Sequence, residues 1–115
     1  MKKVAPYLIL TLVFLFACNK EKIPPPDITD PGQLLFLGYG NRDVDCARCH
    51  GPEGQGGMQA PLITDAYENY TESQIKKIIL DGKGSGADGM AGFQGELSPA
   101  ELQLLLGFLK SLTAE

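Results

Sequence analysis

Apolar and polar positions divide the chain into four stretches. Val4 to Ala17 is a run of 14 mostly apolar residues that follows Lys2 and Lys3 and holds Pro6 and Thr11. Residues 19–31 are polar and proline-rich, and Pro24, Pro25 and Pro26 favour extended polyproline II over helix. Apolar residues return at Gly32-Gln33-Leu34-Leu35-Phe36, and two amphipathic helices are predicted further on. Thr71-Glu72-Ser73-Gln74 has the form of a capping box, with Ile75, Ile78 and Ile79 on one face and Gly82 as the stop. Ser98-Pro99-Ala100-Glu101 is a second such box with proline at the first helical position. Leu102, Leu105, Leu106 and Leu109 then recur at i, i+3, i+4 and i+7, which predicts a helix to about Thr113. Leu104, Phe108 and Leu112 widen its apolar face, so one side is buried along nearly its whole length. Gly107 inside it costs about 1 kcal/mol against alanine, and a close approach of backbones is the expected reason.

The N-terminal run has the length of a signal-peptide core and falls short of the roughly 20 apolar residues a spanning helix needs. It ends Leu15-Phe16-Ala17-Cys18, and the small residue directly before a cysteine resembles the lipobox of bacterial lipoproteins. The resemblance implies that Cys18 becomes a lipidated N-terminus; a plain secretory signal beside an unpaired cysteine is the alternative. The expected organisation is a lipoprotein signal peptide over 1–17, the lipidated Cys18 and a Pro-rich tether over 18–31, and one folded domain over 32–115. At ~3.1 Å per residue the tether could span roughly 40 Å. The expected location is a membrane surface on the periplasmic or outer face of an exporting bacterium, where two acyl chains anchor stably and one does not.

Composition narrows the classes. A chain of 115 residues with 43% hydrophobic and 21% charged positions holds one globular domain and no large enzyme fold. A net charge of −4 with scattered basic residues argues against nucleic-acid binding. Removal of Lys2 and Lys3 leaves 8 basic residues against 14 acidic ones, a net −6, which favours a partner with a cationic surface.

Three cysteines and a single histidine are the sparse residues, and five positions gather most of them: Cys46-Ala47-Arg48-Cys49-His50. C-x-x-C-H in a chain with an export signal is the attachment signature of c-type haem. Two thiols three positions apart each bond one vinyl group, and the adjacent histidine offers its ring nitrogen to the iron. A structural disulfide between Cys46 and Cys49 is a competing reading. A thioredoxin-like pair needs a βαβ pattern that is missing here, and zinc would need a fourth ligand. A carrier's iron usually takes two protein ligands, and with one histidine the soft candidates for the second are Met58 and Met90.

Residues 32–115 resemble a class I monohaem cytochrome c. The resemblance rests on C-x-x-C-H, Gly51-Pro52-Glu53-Gly54-Gln55-Gly56-Gly57, Ala60-Pro61-Leu62, a helix, Asp88-Gly89-Met90-Ala91-Gly92-Phe93 and a final helix, in that order. It implies a small all-α fold whose N- and C-terminal helices cross, with loops wrapped around one covalently bound haem c. It implies that Met90, arriving on a glycine-rich loop, is the distal ligand, with Met58 a loop or core filler. It also implies that the Pro61 carbonyl accepts the ring N–H of His50, and that Gly32 and Phe36 cross the last helix at Leu105 and Phe108. Nine residues, Leu37 to Asp45, separate that aromatic from the first haem cysteine where the family usually has three; Gly38-Tyr39-Gly40-Asn41 is expected to break the helix there. The chain has no Trp, so a family contact from Trp to a haem propionate is absent or is replaced by Tyr67 or Tyr70.

The implied function is a membrane-anchored electron carrier with His50 and Met90 on the iron, redox proteins as partners, no small-molecule substrate and no enzymatic activity. A haem-based gas or redox sensor with a labile Met90 and a cytochrome subunit of a larger oxidoreductase complex are the alternatives. The Gly82-Lys83-Gly84-Ser85-Gly86 run is expected to let the Met90 loop fold over the haem and to make it easy to open.

Overall fold

The computed structural model describes residues 23–57, 60–85 and 89–114; the 1–17 segment, Cys18 and Met58 lie outside them. Among the described residues the architecture is all helical: α1 (Pro31–Phe36), α2 (Ala47–His50), α3 (Ala66–Asn69), α4 (Glu72–Asp81) and α5 (Pro99–Ala114). Extended pairing there is limited to one isolated antiparallel bridge between Lys83 and Met90.

Each of the longer helices starts where local chemistry satisfies its free N–H groups. At α4 the Gln74 N–H donates to Thr71 Oγ1 at 3.3 Å, and the Thr71 N–H donates to Gln74 Oε1 at 2.8 Å. At α5 the Glu101 N–H donates to Ser98 Oγ at 3.1 Å and the Ser98 N–H to Glu101 Oε1 at 3.0 Å. The Ser98 N–H, and after it the Asn41 amide, donate to the Glu101 carboxyl and hold it below its ordinary value. The short α1 begins one residue ahead of the expected boundary, because Asp30 accepts the Gly32 N–H at 3.3 Å and Pro31 occupies the first turn.

The core lies where α1 crosses α5. Gly32 is buried there, and a Cβ on it would collide with the Leu104 carbonyl oxygen and lie 3.0 Å from Phe108 Cβ. One turn on, the Phe36 and Phe108 rings sit 5.2 Å apart at 53°, a tilted contact typical of aromatic pairs. Leu105 and Leu106 are almost completely enclosed beside them.

Two expectations about α5 are corrected. Nothing lies within 4 Å of a Cβ placed on Gly107, so the close approach is at Gly32 on the other helix. Leu104 is 42% exposed, because its residue meets α1 through its backbone carbonyl and its side chain turns to solvent.

The nine-residue stretch from Leu37 to Asp45 folds onto the domain. Helix α1 stops at Phe36, and Gly38 follows with φ +88°. Val44 then re-enters the core with no exposed surface. Asn41 fastens the stretch to the start of α5, its Nδ2 donating to Glu96 O at 2.8 Å and Glu101 Oε2 at 3.1 Å.

Opposite effects of one substitution type follow. Gly32→Ala is expected to destabilise the haem-loaded protein by about 1–3 kcal/mol through overpacking, while Gly107→Ala stabilises it by about 0.5–1 kcal/mol through helix propensity. Denaturant midpoints of the two variants against the original check both signs.

Candidate functional site

The helices and the loops between them line an open-sided cavity of about 530 Å³, within the range of small-molecule and cofactor sites. Phe36, Ile75, Ile79, Leu105 and Leu109 form apolar walls, and Ile78 adds to the α4 side. Four of the sequence-identified residues, Cys46, His50, Pro61 and Met90, lie on this one surface. Cys49 is exposed next to it, and no disulfide joins it to Cys46.

Cysteine and histidine reach the cavity through the single turn of α2. Cys46 caps it, its carbonyl accepting the Cys49 N–H at 3.3 Å and the His50 N–H at 3.0 Å. Burial, with the neighbouring Asp45 carboxylate adding to it, pushes the Cys46 thiol up to about 12. A thiol held neutral in an apolar wall is a poor exchange nucleophile, which argues against the redox-pair reading of Cys46 and Cys49.

The chain after His50 turns back on itself. Gly56 N–H donates to His50 O at 2.7 Å and Ile63 N–H to Gly54 O at 2.9 Å, which returns Pro61 to the histidine. His50 Nδ1 is 3.0 Å from the Pro61 carbonyl oxygen. A carbonyl can only accept, so Nδ1 carries the ring proton and Nε2 keeps its lone pair for a metal.

Met90 is half-buried against the core and lines the cavity. Its backbone is tied: the Lys83 N–H donates to Met90 O at 2.9 Å and the Met90 N–H to Lys83 O at 2.7 Å. These bonds tie the loop where Lys83 meets Met90; Gly86 and Asp88, between them, lie outside the described residues.

The two tyrosines part company. Tyr67 donates its hydroxyl to Leu106 O at 3.3 Å as a strut between α3 and α5. Tyr70 lines the cavity, and its hydroxyl accepts from Lys83 Nζ at 2.8 Å. Lys83 and Leu62, the latter 50% exposed, belong to the same lining and went unrecognised in the sequence, where nothing sets either apart from a surface lysine or a loop leucine. Asp65 lines both this cavity and a second, polar groove of about 700 Å³ that also holds Asp30, Glu53 and Glu68.

An apolar cavity with a thiol in its wall, a second thiol at its edge and a histidine whose donor nitrogen is left free fits a haem bonded through both cysteines. Fold and cavity together define a small class I c-type cytochrome. The chain belongs to the family of cytochrome c oxidase, cbb3-type, subunit III, whose model matches residues 38–109. It is also similar to the dihydro-heme d1 dehydrogenase of Pseudomonas aeruginosa, with 30% identity over 79 residues. That match takes in 69% of this chain and 14% of the relative, so the chain spans about one seventh of that protein's length. No solved structure matches the chain. The cofactor is covalently bound haem c, and the domain is of a kind that serves haem-based electron transfer.

Both thiols are expected to be consumed as thioethers. Intact mass should show one haem added, and acidified organic solvent should leave the colour with the protein; extraction of the haem would contradict the double attachment.

Proposed function

We propose that the protein is a one-electron carrier in which His50 and Met90 would hold the haem iron, kept at the outer face of a membrane by lipid on Cys18. The observation that carries the ligand reading is that the chain's one histidine and Met90 line the same cavity. Bound haem supplies the one-electron iron couple. Pro61 holds the His50 ring in one tautomer, the apolar walls exclude water, and the paired backbone of Lys83 and Met90 keeps the thioether at the cavity. Two protein ligands leave no open position for a substrate, which supports a carrier without enzymatic activity of its own.

A second reading is supported by the comparisons: the domain passes electrons within a larger oxidoreductase, as the family's description as an oxidase subunit and the relative's description as a dehydrogenase suggest. The acidic groove beside the cavity supports a partner with a cationic surface in either setting. For the anchor, the support is the Ala17-Cys18 junction and the proline-rich stretch that follows it. No helix among the described residues is long and apolar enough to cross a membrane.

Met90→Ala is expected to lower the reduction potential and open a coordination position, because thioether sulfur favours ferrous iron. The reduced variant should bind carbon monoxide where the original does not, and Met58→Ala should leave both properties unchanged. Carbon monoxide binding to the unmodified ferrous protein would instead support a sensor.

Cys18→Ser should release the protein from membranes. Fractionation of variant and original as the same soluble species would remove the anchor from the account.

A further inference from the structure

We propose that Gly82 and Gly92 are positioning residues for Met90: their backbones pass so closely at the end of α4 that a side chain on either withdraws the Met90 sulfur from the cavity. The proposal rests on the reading of Met90 as the distal ligand.

Helix α4 ends at Asp81, and the carbonyls of a last helical turn need partners from outside the helix. Most of those partners come from beyond Met90. Ile78 O accepts the Gly82 N–H at 2.8 Å, Ile79 O the Phe93 N–H at 2.9 Å, and Leu80 O the Gln94 N–H at 3.0 Å. At Met90 itself the N–H and the carbonyl pair with Lys83 and close the ladder. The methionine is therefore held in a short strip of backbone docked on the helix end, bonded at its own position and again three and four residues further on.

That docking requires the absence of two side chains. A Cβ on Gly92 would collide with Leu80 O and lie 2.7 Å from Asp81 C and 3.0 Å from Asp81 Cα. A Cβ on Gly82 would collide with Met90 O and lie 2.9 Å from Gly92 N. Every one of these atoms is backbone, so no rotamer change relieves the overlap. Gly82 also has φ +83°, which favours glycine whatever the space; Gly92 is not among the positive-φ glycines, so alanine there tests the contact alone. The strip and the helix end must separate to admit a methyl group, and the bonds of Phe93 and Gln94 are the first to lengthen. Methionine reaches its target through a flexible side chain, but the reach starts from a backbone that has moved away.

The experiment uses the full haem-loaded protein. Gly92→Ala is expected to keep one haem per chain and its helical circular dichroism. It should lose the sulfur-to-iron charge-transfer band of the ferric state and bind carbon monoxide when reduced. Gly107→Ala, with open space around its Cβ, should behave as the original in every one of these measurements. Retention of the band and exclusion of carbon monoxide in Gly92→Ala, while Met90→Ala loses the one and gains the other, overturns the positioning role and leaves the ligand reading standing. Retention of the band in Met90→Ala overturns the ligand reading and this proposal with it. Should Gly92→Ala not fold, hydrogen exchange on the unmodified protein decides. Amides of Met90, Phe93 and Gln94 exchanging as slowly as those of α4 support the docked strip, and exchange at the rate of exposed loop amides overturns it.

Discussion

Everything in this molecule hangs on the contact of α1 with α5 at Gly32. Two helices can approach until a backbone carbonyl of one meets a Cα of the other only when that Cα carries no side chain, and Gly32 against Leu104 is such a place. The approach brings Phe36 onto Phe108 and, beside them, turns Leu105 and Leu109 toward the interior. With that wall in position, α4 lays Ile75 and Ile79 opposite and the cavity follows. An enclosure with so much apolar lining is unstable when filled with water, which is why a domain of this size gains from a bound porphyrin beyond its use in redox chemistry.

The site is arranged by backbone to an unusual degree. The His50 ring is oriented by a proline carbonyl, Cys46 sits at a helix cap, and Met90 is held by amide bonds to Lys83. Side chains supply the donor atoms, and main-chain groups decide where the donors point. Main-chain groups neither titrate in the ordinary range nor rotate freely, so this framework is insensitive to pH and to most surface substitutions.

What was legible in the sequence was local. The capping boxes at Thr71 and Ser98 declare themselves within four residues, and helical periodicity carries the rest, so α4 and α5 lie where the pattern puts them. C-x-x-C-H named the cofactor for the same reason, since spacing is the chemistry. Helix α3 was not foreseen, being one turn long with no side-chain bond at its cap. Gly107 misled because a glycine's reason for being in a helix is tertiary, and the approach it suggested belongs to Gly32. Asn41 gives no sign in the sequence of reaching Glu96 and Glu101, which are 55 and 60 positions away.

The crossing of the first and last helices also sets the order of events in the life of the chain. Its two halves are some seventy residues apart, so loop-closure entropy opposes the contact until nearly all of the chain is present. Before Leu105 and Phe108 emerge there is no wall for Phe36 to meet, and the cavity does not exist. Cys46 and Cys49 spend that interval on an open chain. Late closure thus leaves both thiols on an open chain until the last helix is present, and the wall that partly covers Cys46 is the last part of the fold to form.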